Sequence, residues 1–194
     1  MRQKILKIFE ESIGVKEKFA KENADAIAEV SRLIADAFSE GRKLLLFGNG
    51  GSASDASHIA AEFVNRFKRD RPALPAIALG ADAAVITAIA NDYDYTEVFA
   101  KQIKALGEEG DIAVAISTSG ASPNILRGVD AAKRKKLKTI AFTGSKGGKL
   151  AGKVGYAFVV PSDNTPRIQE TYMTLGHVIC QMVEELLFEA PGRK

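Results

Sequence analysis

The chain has 194 residues, 46% of them hydrophobic, with 27 basic and 24 acidic side chains and a net charge of +3. That length and apolar fraction suit a single globular domain, 1–194, with a substantial core. The charges interleave, so no basic stripe marks a nucleic-acid face. A lone cysteine excludes a disulfide framework, and no apolar run reaches the length of a membrane span.

Met1 to Glu11 carries charges throughout and lacks the apolar stretch of a secretory signal, which points to a cytoplasmic protein. Residues 3–21 and 24–39 read as two amphipathic helices. Ile5, Ile8, Phe9, Ile13 and Phe19 form the first stripe, and Ile27, Val30, Leu33, Ile34 and Phe38 the second, which Gly41 ends. Strands and helices then alternate. Lys43–Phe47, Ala76–Leu79, Ile112–Ser117, Thr139–Thr143 and Ala157–Val160 predict short buried strands. Residues 53–68, 82–106, 123–136 and 147–152 predict helices, although Ala90–Tyr95 interrupts the second of these with polar residues. A last helix is expected from about Pro166 to Phe188. Such alternation implies an α/β fold, a parallel sheet covered on both faces with ligands at the carboxyl ends of its strands. The segment 1–40 precedes a sheet that already has its cover, so its apolar stripes are expected to pack against another subunit. The cluster Lys133-Arg134-Lys135-Lys136 ends a predicted helix, where cations favour the helix dipole. Cys180 lies in an apolar run and reads as a small core residue.

Chemistry concentrates in a few places. Gly48-Asn49-Gly50-Gly51-Ser52 links the first strand to a helix, so bare backbone N–H groups and a hydroxyl meet a helix N-terminus, where an anion is welcome. Gly48-x-Gly50-x-x-Ala53 also fits a dinucleotide fingerprint. That fingerprint wants an acidic residue at the end of the second strand, and Asp82 instead reads as the cap of the next helix. No Gly-Lys-Ser/Thr closes the loop, which excludes a P-loop. The third strand ends in a second hydroxyl-rich loop, Ser117-Thr118-Ser119-Gly120-Ala121-Ser122. A helix cap needs one hydroxyl, whereas a phosphomonoester offers several acceptor oxygens. Two such loops without a basic residue suit a small sugar phosphate. His58 and Glu62 are four apart and share a helix face; alone they are an ordinary helix pair. With Gln169 and His177 they make a nitrogen and oxygen donor set suited to zinc, but spacing cannot bring two distant helices together. Asn91-Asp92 lies in a polar corner that reads either as a helix end or as part of a sugar site.

Five motifs, in order and over nearly the whole chain, carry a resemblance. These are Gly48-Asn49-Gly50-Gly51-Ser52, His58-x-x-x-Glu62, Thr87-Ala88-Ile89-Ala90-Asn91-Asp92-Tyr93, Ile116-Ser117-Thr118-Ser119-Gly120, and Arg167-Ile168-Gln169-Glu170 with His177. Together they resemble the phosphoheptose isomerases of the sugar isomerase (SIS) family. The resemblance implies a flavodoxin-like αβα sandwich with a five-stranded parallel sheet, a homotetramer, and active sites between subunits. It implies isomerisation of D-sedoheptulose 7-phosphate through an enediol, the first step towards a nucleotide-activated heptose of lipopolysaccharide. It makes His58, Glu62, Gln169 and His177 ligands of one Zn2+ per subunit, with Glu62 and His177 the acid–base pair. Asn49, Gly50, Gly51, Ser52, Glu62, Asn91, Asp92, Ser117, Thr118, Ser119, Ser122 and Gln169 would touch substrate. Ala121 stands where the family has Asn, and Tyr172 where it has His. Some relatives instead bind the bacterial replication initiator and do no sugar chemistry; such a protein would have no need of His58, Glu62 and His177 together.

Overall fold

The computed structural model describes residues 1–189. Strands β1 (Leu44–Gly48), β2 (Ala76–Ala78), β3 (Ile112–Ser117), β4 (Lys138–Gly144) and β5 (Tyr156–Val160) form one sheet. All pairings are parallel, in the order β2-β1-β3-β4-β5. Helices α1 (Arg2–Ser39), α2 (Gly51–Val64), α3 (Ala83–Asp92), α4 (Val98–Leu106), α5 (Pro123–Arg134), α6 (Gly148–Ala151) and α7 (Thr165–Phe188) complete the chain, with a 3-10 turn at Tyr95–Glu97.

Successive strand side chains alternate between two apolar layers. Leu44, Leu46, Ile112, Val114 and Ile116 face α1, α2 and α7, packing with Ile34, Ile59, Phe63 and Ile179. Leu45, Phe47, Ala113 and Ala115 face the other way, onto Phe99 and Ile103 of α4, Val129 of α5 and Leu150 of α6. This is the expected three-layer sandwich. The strand order reverses direction between β1 and β3, the switch point where such sheets bind ligands.

Three expectations need correction. The two predicted N-terminal helices are one, α1. Asn23 does not break it, because its side chain returns a hydrogen bond to the Phe19 carbonyl at 2.8 Å. The second part of α1 does not need another subunit for its cover: Phe19, Ile27, Val30, Ile34 and Phe38 lie in this chain's own core. Only the first part, with Ile5, Leu6, Ile8, Phe9 and Ile13, is left exposed. Finally, α2 stops at Val64, short of residue 68, because the Arg71 guanidinium takes the carbonyls of Glu62 (2.7 Å) and Phe63 (2.6 Å) at its end. The segment predicted as helix over 82–106 is divided at Tyr93, where the polar corner suggested a break; Asp82 caps α3 by accepting from the N–H groups of Ala84 and Val85. Cys180 is buried in the core, and Lys133 and Arg134 close α5 as expected.

Candidate active site

The glycine loop after β1 turns tightly because its residues permit it. Gly50 has φ +55°, and a Cβ on Gly48 would lie 2.6 Å from the Ser52 carbonyl oxygen. The Ser52 and Ala53 N–H groups donate to the carbonyls of Asn49 and Gly50, both at 3.0 Å. The amides of Gly50 and Gly51 are the ones left to meet an anion. Ser52 itself is buried.

The loop after β3 lies alongside, since β1 and β3 are neighbours. Ser117 is buried, Thr118 and Ser122 are half-buried and Ser119 is exposed. Ser119 Oγ accepts the Ala121 N–H at 3.3 Å, and the Gly120 N–H donates to the Ser117 carbonyl at 3.2 Å. Neither α2 nor α5 has a side-chain cap at its N-terminus, whereas α3 has Asp82. Two uncapped helix ends with positive dipoles therefore face the same switch point, the arrangement a phosphate needs.

Asn49 and Asn124 join the two loops. Asn49 Nδ2 donates to Asn124 Oδ1 at 2.9 Å, Asn124 Nδ2 donates back to Asn49 Oδ1 at 2.8 Å, and the Tyr95 hydroxyl donates to Asn49 Oδ1 at 3.2 Å. The Asn49 side chain, expected at substrate, is thus committed to protein partners. Asn91 and Asp92 sit exposed at the end of α3, with Asn91 Nδ2 donating to Asp92 Oδ1 at 3.0 Å.

Helices α2 and α7 run side by side in the same direction. At their starts, the Gln169 amide lies against Gly51, so closely that a Cβ there would collide with it. Two turns further along both helices, His177 meets His58, with Nε2 to Nε2 at 3.4 Å. His58 Nε2 also lies 3.1 Å from Glu62 Oε1, and ligand atoms of His58, Glu62 and His177 all fall within 4.8 Å of one another. Sequence spacing could not show this convergence. Two Nε2 atoms facing at that distance cannot both carry hydrogens towards each other, so at least one presents a lone pair. Two imidazoles and a carboxylate closing on a half-exposed position fit a zinc-type ion. Gln169 stands about 12 Å along α7 from His177, given 1.5 Å per residue, and faces the glycine loop.

One turn before His58, burial raises the Asp55 carboxyl above its ordinary pKa, opposed by the His58 charge. Burial, then the Asp55 charge, raises the Tyr172 hydroxyl too, and neither Asp55 Oδ2 nor the Tyr172 hydroxyl has a hydrogen-bond partner. Residues not anticipated from sequence are Asn124 and Phe67, while Tyr95 lies in the polar corner Ala90–Tyr95. The Phe67 ring stacks on His177 with centroids 5.4 Å apart and 27° between planes.

Residues 8–144 match the SIS domain family. The chain is 63% identical over 194 residues to a phosphoheptose isomerase of Thermodesulfovibrio yellowstonii, covering all of this chain and 96% of that protein. It is 51% identical over 189 residues to one from Aquifex aeolicus, covering 97% of this chain and 99% of the relative. Its backbone superposes on a phosphoheptose isomerase from Francisella tularensis with TM-score 0.90 at 40% identity, covering 94% of this chain and 97% of that one. For the phosphoheptose isomerase of Neisseria gonorrhoeae the TM-score is 0.89 at 37% identity, over 95% and 98% of the two chains.

Proposed function

The chain belongs to the SIS domain family, and from that premise we propose that it converts D-sedoheptulose 7-phosphate into D-glycero-D-manno-heptose 7-phosphate, as an aldose–ketose isomerase. The observation that carries this reading is the meeting of His58, Glu62 and His177 beside a two-loop anion cradle. The product would enter nucleotide-activated heptose synthesis in the cytoplasm. Among the described residues no helix is long and apolar enough to cross a membrane.

The phosphate would rest on the uncapped ends of α2 and α5, with the amides of Gly50 and Gly51 and the hydroxyls of Ser52, Ser117, Thr118, Ser119 and Ser122 around it. Binding the remote end this way positions the reacting carbons. Glu62 takes a proton from C1, and the C–H electron pair becomes the C1–C2 double bond of the enediol as O2 gains a proton. Collapse delivers a proton to C2 as the O1 hydroxyl gives up its own, and His177 serves this side. Glu62 Oε1 lies against His58, which leaves Oε2 for the substrate proton. Asn91, Asp92 and Gln169 would bond sugar hydroxyls. His58, Glu62 and His177 would hold one zinc ion per subunit, with Gln169 the fourth donor if its amide turns from Gly51. Zinc would supply a positive charge that stabilises developing enediolate.

The exposed apolar residues at the start of α1, and α3, of which no residue is buried, support association with further subunits, and the homotetramer is the assembly the resemblance implies. The replication-initiator reading is not favoured, because phosphoheptose isomerases match the chain end to end and His58, Glu62 and His177 lie together. The test is an isomerase assay on sedoheptulose 7-phosphate with and without chelator, paired with elemental analysis and sedimentation. Expected are turnover, loss of turnover on chelation, about one zinc per subunit, and a particle near four times 20.8 kDa. Absence of turnover in zinc-loaded protein would overturn the assignment.

A further inference from the structure

Outside the cradle, one buried ion pair stands out. Arg71 and Glu184 lie 3.0 Å apart with both side chains 2% exposed. A charge that deep persists only where its hydrogen bonds are met, and here they are met by one short stretch of chain. Glu184 accepts the backbone N–H groups of Phe67 (2.9 Å), Lys68 (2.9 Å) and Arg69 (3.3 Å), along with Arg71 Nε. Arg71 donates to the carbonyls of Glu62, Phe63 and Asn65 at the end of α2, and to that of Pro72. Burial alone would raise the Glu184 carboxyl, but the Lys68 and Phe67 amides and Arg71 together hold it below the ordinary carboxylate range.

The position of these bonds gives them a consequence at the site. Glu184 is two turns beyond His177 on α7, and Arg71 closes the helix that carries His58 and Glu62. The pair therefore fastens the end of one site helix to the other. The three amides it gathers also fix the backbone of Phe67, whose ring lies over His177. The small pairwise bond between His58 and His177 would not by itself hold two helices in register.

We propose that Glu184 and Arg71 are positioning residues for the isomerisation: they seat Phe67 on His177 and thereby fix the imidazole against Glu62. The inference rests on the isomerase reading for its kinetic arm and is independent of it for its structural arm. The face of His177 is held by an aromatic wall, so the ring presents its Nε2 towards His58 and Glu62 in one orientation. Loss of the wall frees the ring to turn about its side-chain bonds. Misplacement of a catalytic group by about 1 Å can cost about 10²-fold in rate.

The experiment uses the full-length protein and exploits its having only two histidines. Ring protons of His58 and His177 are followed by NMR in chelator-treated, histidine-labelled protein, alongside kcat and KM for sedoheptulose 7-phosphate in zinc-loaded protein. Three variants are compared: Glu184→Gln, Phe67→Leu and Phe67→Tyr. In the parent, stacking on Phe67 displaces the His177 ring protons by ring current. Phe67→Leu should abolish that displacement and lower kcat by about 10- to 10²-fold, with KM within about threefold. Phe67→Tyr, which keeps the ring, should restore both. Glu184→Gln should shift the His177 signals the same way as Phe67→Leu, with a smaller shift at His58, whose ring centroid lies 5.2 Å from that of His177. The proposal is overturned if Phe67→Leu keeps kcat within twofold, or if Glu184→Gln loses activity with the His177 signals unmoved, which would mark a role in stability alone. If Glu184→Gln does not fold, the Leu and Tyr variants of Phe67 decide. A parent without turnover would refute the isomerase reading, and the NMR arm would still show whether Phe67 is seated on His177.

Discussion

Gly176 has no side chain where α7 crosses α2, and Gly176→Ala tests how tightly those helices are set. A Cβ there would lie 2.7 Å from Cδ1 and 2.8 Å from Cγ1 of Ile59. Carbon atoms prefer about 3.5–4.0 Å, so roughly 1 Å of relief is required. Ile59 is 3% exposed, and the void beside it measures about 10 Å3, roughly the room of one water molecule. The side chain can absorb only part of the strain, and the helices must separate for the rest. Ala regains about 0.8–1.0 kcal/mol of helix propensity, against about 1–3 kcal/mol for overpacking. The net loss is about 0–2 kcal/mol, which at about 2–4 °C per kcal/mol lowers Tm by up to ~8 °C. Gly176 and Ile59 are the chain neighbours of His177 and His58, so the same separation parts those two rings, and with the roles proposed for them kcat should fall by up to ~10²-fold. Thermal melts and steady-state kinetics on Gly176→Ala, Ile59→Val and the double variant are the assay. Ile59→Val alone should cost about 0.5–1.5 kcal/mol. Combined with Gly176→Ala it removes the contact at Cδ1 and keeps the one at Cγ1, so it should restore activity in part, with a favourable coupling of about 0.5–1 kcal/mol. A single Gly176→Ala variant with raised Tm and unchanged kcat would refute the reasoning.

Four further outcomes are expected. Glu62→Gln keeps the volume but loses the basic oxygen, so turnover should drop by at least ~10²-fold while substrate still binds, with solvent deuterium at C2 as the readout of the proton step. Ser119→Ala should raise KM more than it lowers kcat, and unchanged KM in both Ser119→Ala and Ser122→Ala would dismiss the two-loop cradle. Tyr172→Phe removes a buried hydroxyl without a partner and should leave Tm unchanged or raised, since an unmet polar group costs about 1–3 kcal/mol; a large fall in Tm would reveal a partner. Glu184 is held below its ordinary range, so its contribution is present in full above the unfolded value of about 4.3 and is lost as pH falls through the lower folded value. Acid titration of stability should show this slope in the parent and lose it in Glu184→Gln.

The sheet was legible in the sequence because short apolar runs between glycine turns have few alternatives, and each observed strand lies within about a residue of its run. Both loops were legible as well, since Ser and Gly cluster at strand ends. What escaped depends on contacts far apart in sequence. The end of α2 is set by Arg71, itself fixed by Glu184 more than a hundred positions away. A signal for this was present: Glu184 sits one turn beyond Cys180 on the apolar face of α7, and a charge on such a face must find a buried partner. Asn124 looked like any residue in the first turn of a helix, and its pairing with Asn49 follows only from the adjacency of β1 and β3. The division of 3–39 into two helices placed a break over 22–23, where the chain stays helical and the Asn23 side chain bonds back to the Phe19 carbonyl. His58 and His177 could be assigned to one place only through the resemblance, because helical spacing has no reach between α2 and α7.

The reciprocal amide pair of Asn49 and Asn124 also bears on how the protein ages. Asn49 precedes Gly50, and an asparagine followed by glycine is the dipeptide most open to deamidation, because the unhindered glycine nitrogen can attack the side-chain carbonyl and close a succinimide. Here both ends of the Asn49 amide are held by Asn124, with Tyr95 on its oxygen, so the attack would need those bonds to open first. The product would carry a carboxylate where the donor nitrogen was. It would lose the bond donated to Asn124 Oδ1, keep the one accepted from Asn124 Nδ2, and set a negative charge beside the two loops proposed to hold phosphate. The brace between the loops is therefore also a chemical guard on the Asn49 amide.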